Sequence, residues 1–600
     1  MQIHEDISPL RYRSSWMVVA LILLIGVIHI RVADLEVLHG SFWRAMAENN
    51  RLRSVPIAAR RGRIYDRNGL VLATNTPSFD LLLFPDEARH LDVTALFLAR
   101  SGIASARDLC QRLQQRAHSS LAPVLVAENL TWDQVARVRA HQSDHPELAV
   151  VSGFRRHYPN SELAAHVVGH LRLLTERELA TRDDANPDTL VGATGAEEMM
   201  EDFVGGRGGR RQVVVSAIGQ RLGVVGESPP QDGHDITLTV DLRLQRVAAN
   251  ALSRHSGAVV ALDPHSGAVR VLYSAPSFDS NLFTARLTPQ SWAQIRDDPE
   301  HPLQDRCIQG VYPPASTIKP FLALAALEDG LIRPTTSIYC SGSVVLFGHT
   351  FHCWRRGGHG RVDMTRALEV SCDSYFYLLG QRLGIDQIAR WLQRFGFGSR
   401  TGLGFPAEQP GLVGTPEWAQ RVRHRPWYPG TTVSVSIGQG PLLVTPLQLA
   451  VAYAELANGG HRVQPHLVER AQPPQVDDLG LDPQDLATVR KGLWDVVHGS
   501  DGTARSLAAL PIAGKTGTAQ VIRLRDDTKP DELEERFRHH ALFVGWAPLQ
   551  DPRLVVAAVV EHGGGGSATA APVVAAVLRA ALAKTGDTPM GEKSVVASSR

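Results

Sequence analysis

A chain of 600 residues with 44% hydrophobic content is too long for one core and calls for two or three domains. The formal net charge is +1, and no basic stripe is interleaved with aromatic residues, so nothing points to nucleic acid as a partner. Five cysteines are too few for a disulfide-built scaffold.

Trp16 to Ile30 is apolar apart from His29. Extended by Ser14, Ser15, Val32 and Ala33, it predicts a transmembrane anchor over 14–33. A cleaved signal peptide needs small residues at its cleavage site, and Arg31 holds the critical position. Arg11 and Arg13 assign the tail, 1–13, to the cytoplasm and everything after the anchor to the other side. Leu35 to Arg53 has helical spacing and reads as a continuation of the anchor. Arg60 to Ala73 reads as strand, Asn68-Gly69 turn, strand. Residues 85–190 read as mostly amphipathic helix, and 205–211 as a Gly/Arg-rich turn region.

A further domain is expected from about Gln231. Ile236 to Asp241 reads as a strand entry and Leu242 to Leu252 as a helix. Two strands follow between Gly257 and Ser274, around the turn Asp263-Pro264-His265-Ser266-Gly267. After a long helical middle, strands return at Ala519–Ile522, Ala541–Trp546 and Leu554–Val560, and a helix runs from Ala571 to Ala583. Strands at both ends of a helical middle predict an α/β (α+β) layered domain, an antiparallel sheet with helices packed on it. Lys584-Thr585-Gly586 reads as a helix stop, and 586–600 as a disordered tail.

Within the helical middle, Gly310-Val311-Tyr312-Pro313-Pro314-Ala315-Ser316-Thr317-Ile318-Lys319 precedes an apolar run, Phe321 to Leu327. Ser316 and Lys319, three apart, share a helix face. A serine hydroxyl needs a nearby base, and an amine serves if burial or a second cation lowers its pKa. The chain has six lysines among its 62 basic residues. Arginine supplies fixed charge elsewhere but cannot deprotonate, so a lysine here suits a titratable task. A lone Ser-x-x-Lys is more often a helix cap beside a surface lysine. The balance shifts because Ser371-Cys372-Asp373 and Lys515-Thr516-Gly517-Thr518 follow in order.

With these three motifs the chain resembles a class B penicillin-binding protein of the penicillin-binding protein 2 type. Arg61-Gly62-Arg63-Ile64-Tyr65-Asp66-Arg67-Asn68-Gly69, His157-Tyr158-Pro159 and Gly192 to Glu197 resemble boxes of that family's non-catalytic pedestal. The resemblance implies a pedestal over 34–230, a transpeptidase domain over 231–585, and a pairing of Glu197 with an arginine of the first box. It implies acyl transfer through a serine ester. Ser316 attacks, Lys319 takes the proton, and Ser371 relays one to the departing amine with Lys515 nearby. Asp373 stands where most of the superfamily has Asn. It either is offset by Lys515 or faces the substrate backbone. Thr516, Gly517 and Thr518 would line the subsite for the carboxylate of a D-Ala-D-Ala stem peptide. Trp427, Tyr428 and Ser436 to Gly440 resemble cleft-edge elements.

The implied partners are stem peptides, β-lactams, the membrane, other elongation-complex proteins and a glycosyltransferase of the shape, elongation, division and sporulation family. The implied location is the bacterial inner membrane, single-pass, with the catalytic domain in the periplasm. Carboxypeptidase side activity is compatible with the same chemistry. Two other readings use the same motifs: a membrane β-lactamase or β-lactam sensor, and a non-catalytic morphogenetic scaffold. No cofactor is needed for the reaction. Cys340, Cys353, His359 and Cys372 nevertheless fall within 33 residues, a donor set for structural zinc. The resemblance adds weight to zinc, with His349 and His352 as alternative ligands. A Cys340–Cys353 disulfide or plain buried cysteines are the alternatives.

Overall fold

The computed structural model describes residues 8–39, 41, 52–84, 88, 90–115, 123–179, 181, 189–215, 221–253, 255–470, 477–522 and 534–583. The expectations for Lys584-Thr585-Gly586 and for 586–600 lie outside these residues.

An α-helix spans Ser8–Ala33 and passes into one π-turn, Asp34–Leu38. Trp16–Leu38 is long and apolar enough to cross a membrane, and none of its apolar stretch is buried by the other described residues. The helical continuation expected to Arg53 is not what forms at its end, because Leu52–Ile57 is a strand. It pairs with Gly209–Val215, which pairs with Arg221–Ser228.

The long strand of the first domain is Val71–Leu83. It pairs antiparallel with Leu148–His157 along its length and with Val124–Ala127 at its end. The mostly helical reading of 85–190 is therefore corrected: the helices Leu91–Arg100, Ala106–Gln115 and Trp132–Ala140 alternate with those strands. The expected hairpin is present. Ile64–Tyr65 pairs with the long strand, and Gly69 takes a positive φ of 82° in the turn. Asp66 is fully buried there and accepts from the backbone N–H groups of Asn68, Leu70 and Leu242. Because Leu242 opens the next domain's first helix, this one carboxylate fastens the two domains. Ile236–Thr237, parallel to Ile64–Tyr65, does the same through the backbone.

The second domain is built on a five-stranded antiparallel sheet. Its spatial order is Val269–Ala275, Gly257–Leu262, Leu554–Val560, His540–Ala547, Ala513–Ala519. Helices cover both faces, which is why the central strand Leu554–Val560 reads Leu-Val-Val-Ala-Ala-Val-Val without polar alternation and is buried throughout. Val556, Ala558 and Val560 face a core with the helices Leu242–Leu252 and Ala570–Leu582. Val555, Ala557 and Val559 face the larger core, with the helices Lys319–Glu328, Asp373–Arg394 and Pro446–Ala457. The edge strand begins six residues earlier than expected and contains Lys515-Thr516-Gly517-Thr518 whole.

Candidate active site

Ser316 sits in a 3-10 turn, Ala315–Ile318, that runs directly into the helix Lys319–Glu328. The turn is held from three sides. Ala315, at a φ of 49°, donates its N–H to the Gly438 carbonyl at 2.9 Å. A left-handed non-glycine residue costs about 1–2 kcal/mol, so the contact that fixes it matters. Thr317 donates to the Pro314 carbonyl at 2.6 Å, and the Tyr453 hydroxyl donates to the Thr317 carbonyl at 2.7 Å. Gly438 is itself obligatory, because a Cβ there would lie 2.1 Å from the Ala315 oxygen.

Lys319 is fully buried. Its ammonium nitrogen is 2.7 Å from Asp373 Oδ1, 3.0 Å from the Ser371 carbonyl and 3.3 Å from Ser371 Oγ. It also lies over the Phe376 ring. Among the described residues no hydrogen bond joins it to the Ser316 hydroxyl, which is half-exposed one turn away. Asp373 opens the helix Asp373–Arg394, and its second oxygen accepts the backbone N–H of Trp354 at 2.9 Å. Both of its oxygens are thus engaged within the protein, one on Lys319 and one on the loop that follows Cys353. Ser371, like Ala315, has a positive φ, 53°.

Lys515 is also fully buried, on the edge strand, and donates to the Thr516 carbonyl at 3.3 Å. Burial first, and then the neighbouring Lys319 charge, hold its amine well below the ordinary lysine range. Thr516 shares a hydrogen bond with Thr503 at 2.9 Å. Gly517 packs against the turn that carries Ser316: a Cβ there would lie 3.0 Å from Thr317 Cγ2 and 3.2 Å from the Pro314 oxygen. Thr518 is exposed, with its carbonyl receiving Gln439 Nε2 at 3.3 Å. The structure therefore brings Ser316, Lys319, Ser371, Asp373 and the strand 515–518 into one place. It adds Trp354, Thr503 and Tyr453 as supports, none of which a short motif signals. Trp354 could have been suspected only as the neighbour of Cys353.

Residues 257–579 match the penicillin binding protein transpeptidase domain, and 56–238 match the penicillin-binding protein dimerisation domain. The peptidoglycan D,D-transpeptidase MrdA of Acinetobacter baumannii is 36% identical over 92% of this chain and 85% of its own length. The chain belongs to the class B penicillin-binding proteins, penicillin-binding protein 2 type. Peptidoglycan D,D-transpeptidation comes with that membership. Two solved relatives share the fold. Pseudomonas aeruginosa PBP2 in complex with WCK 5153 is 35% identical, with a TM-score of 0.68 over 89% of this chain and 97% of that one. Helicobacter pylori PBP2 in complex with MreC is 27% identical, with a TM-score of 0.77 over 88% and 98%.

In the pedestal of this penicillin-binding protein, the pairing implied for Glu197 is present and larger than one contact. Glu197 is fully buried and receives Arg61 and Arg156, each at 2.7 Å, and the Tyr158 hydroxyl at 3.2 Å. Burial alone would raise its pKa, but the two guanidinium charges outweigh that and hold it below the usual carboxylate range.

Beside Ser371 and Asp373, Cys340, Cys353, His359 and Cys372 converge with all ligand atoms within 4.8 Å of one another. His359 Nδ1 lies 3.5 Å from Cys353 Sγ and 3.7 Å from Cys340 Sγ. All five cysteines are free, so no Cys340–Cys353 disulfide forms. His349 and His352 are exposed and stay outside the cluster. A tetrahedral zinc with sulfur ligands at about 2.3 Å needs donors about 3.8 Å apart, a contraction of under about 1 Å. The donor set also suits the metal in kind, three sulfurs and one imidazole nitrogen. His359 Nε2 is buried and has no hydrogen-bond partner among the described residues, which leaves Nδ1 as the ring nitrogen turned to the sulfurs. Of the remaining cysteines, Cys307 is buried and Cys110 exposed.

Proposed function

We propose that this chain cross-links stem peptides during cell elongation through an ester on Ser316, and that β-lactams block it by acylating the same hydroxyl. The observation that carries the reading is the convergence of the nucleophile turn, Ser371–Asp373 and the strand 515–518 around two buried lysines. Ser316 Oγ attacks the carbonyl between the two terminal D-alanines, and its proton passes to Lys319. Breaking the C–N bond releases D-alanine, whose amine takes a proton through Ser371 Oγ. The backbone N–H groups of Ser316 and Thr518 hold the oxyanion. Thr516, Thr518 and Lys515 hold the terminal carboxylate, over a floor that Gly517 keeps thin. An amine of a second stem peptide then attacks the ester and returns the proton to Ser316. Lys319 rests paired with Asp373, so acylation requires its amine to come free of that ion pair. In this resting arrangement each Asp373 oxygen already accepts one hydrogen bond within the protein, from Lys319 and from Trp354.

The same reading assigns 1–13 to the cytoplasm, 14–33 to the membrane, 34–230 to the pedestal and 231–585 to the transpeptidase domain in the periplasm. Elongation proteins of the MreC kind and a glycosyltransferase of the shape, elongation, division and sporulation family are the partners that fit it. The test is fluorescent penicillin on the purified chain. A persistent label that is lost in Ser316→Ala supports the transpeptidase reading. Fast decay of the label would favour a β-lactamase, and no label on the wild type a scaffold.

Zinc held by Cys340, Cys353, His359 and Cys372 would be structural: a full set of four protein ligands leaves no position for water. Bound there, it would fix the loop that carries Trp354 and hence the Trp354 N–H on Asp373. Metal analysis of the purified chain is expected to find about one zinc per chain, and much less in Cys353→Ser. A folded, metal-free wild type would remove zinc from the reading.

A further inference from the structure

Behind the nucleophile helix, a cavity of about 420 Å3 opens between the turn 263–267, the end of the helix Asp373–Arg394, the helix Pro446–Ala457 and the loop 462–464. None of the motif residues lines it. Glu455, on the helix Pro446–Ala457, is only 1% exposed, yet its Oε2 has no hydrogen-bond partner. Its Oε1 is weakly used, by the Val463 N–H at 3.4 Å and by Arg462 at 3.8 Å. A buried carboxylate oxygen without a donor is costly, and a site that keeps one beside an open cavity is arranged to receive a donor. Arg400 lines the same cavity, is exposed, and has no hydrogen-bond or ion-pair partner among the described residues. Phe395 and Val451 supply apolar wall between them.

An unpartnered carboxyl oxygen and an unpaired guanidinium on the walls of a single small cavity match a ligand that carries both opposite charges. We propose that this cavity binds a small zwitterionic amino acid, its ammonium on Glu455 Oε2 and its carboxylate on Arg400. The volume also admits a dipeptide. The transpeptidase reading singles out D-alanine, the amino acid that the reaction releases. That choice rests on the proposed function, whereas the site does not.

Burial pushes the Glu455 carboxyl up to about 7, against the lowering influence of Arg462. The other charged or titratable groups lining the cavity are Arg400, His265 and Asp477. Docking an ammonium therefore expels the Glu455 proton, and the heat of binding then varies with the ionisation enthalpy of the buffer.

The experiment is isothermal titration of the full chain in detergent with D-alanine and with N-acetyl-D-alanine, which lacks the ammonium. Wild type and Ser316→Ala are expected to bind D-alanine equally, with buffer-dependent heat, and not to bind the acetylated compound. Glu455→Gln and Arg400→Gln are each expected to weaken binding about tenfold or more while labelling with penicillin as wild type does. If Glu455→Gln does not fold, the exposed Arg400→Gln decides. Absence of D-alanine binding overturns the proposal. So does binding that Ser316→Ala abolishes, or binding that the two cavity variants leave unchanged. Because penicillin labelling is read separately, a failed titration leaves the transpeptidase reading standing.

Discussion

Replacing Lys319 with arginine is expected to slow the acylation of Ser316 by penicillin about a thousandfold, the usual worth of a general base. The charge survives the substitution, so any electrostatic duty toward Asp373 or a substrate carboxylate survives with it. What is lost is an amine that deprotonates. Lys319 Nζ occupies a closed pocket made by Asp373, Ser371 and Phe376, without solvent access. A guanidinium is larger as well as permanently charged, so Lys319→Met serves as the steric control. Both variants are expected to lose acylation, with the fold checked by circular dichroism. Acylation of Lys319→Arg at the wild-type rate, measured with fluorescent penicillin under single-turnover conditions, would show that the proton of Ser316 goes elsewhere. The alternative acceptor would then be Lys515, the second buried amine, which its surroundings keep well below the ordinary lysine range.

The residues that converge at the candidate site were legible in the sequence because each sits in a short motif whose chemistry demands particular side chains. What those side chains do to one another was not legible. For Asp373 the sequence left two readings open, offset by Lys515 or facing a substrate backbone. The fold turns one of its oxygens to Lys319 and the other to Trp354, whose position depends on a loop that starts near Cys340. The edge strand was placed too late for a local reason. Ala513–Ala519 contains two glycines, poor strand formers, whereas Thr518 to Ile522 looks more β-prone. Pairing with His540–Ala547 overrides propensity, and Gly514 and Gly517 are needed where neighbouring backbone and side chains come close.

The pedestal strands failed for a different reason. Leu148–His157 carries Ser152, Arg155, Arg156 and His157, and its pairing partner, Val71–Leu83, lies more than 60 residues upstream. Nothing within a local window announces that pairing. By contrast the strands Gly257–Leu262 and Leu554–Val560 were readable, because a strand buried on both faces is an uninterrupted apolar run.

Glu197→Ala is expected to destabilise the pedestal by about 3–5 kcal/mol, the range for removing one member of a buried charge network. Glu197 is the hub that neutralises two arginines, Arg61 and Arg156. Arg61 keeps Glu201 as a second partner at 2.7 Å. Arg156 does not: its side chain is 1% exposed, and among the described residues it has no other carboxylate and its Nη2 already lacks a hydrogen-bond partner. The dominant cost is therefore the stranded Arg156 charge, and Arg156→Met in the same chain is expected to recover part of the loss. Glu197 titrates below the usual carboxylate range when folded, so its stabilisation is complete above the unfolded pKa of about 4.3 and is lost as pH falls through the lower folded value. The gap between wild type and Glu197→Ala, followed by urea unfolding, should accordingly be full at pH 7 and narrow in acid. A gap below about 1 kcal/mol at pH 7, the size typical of solvent-exposed ion pairs, would mean that water reaches Arg156 and that the network holds nothing together.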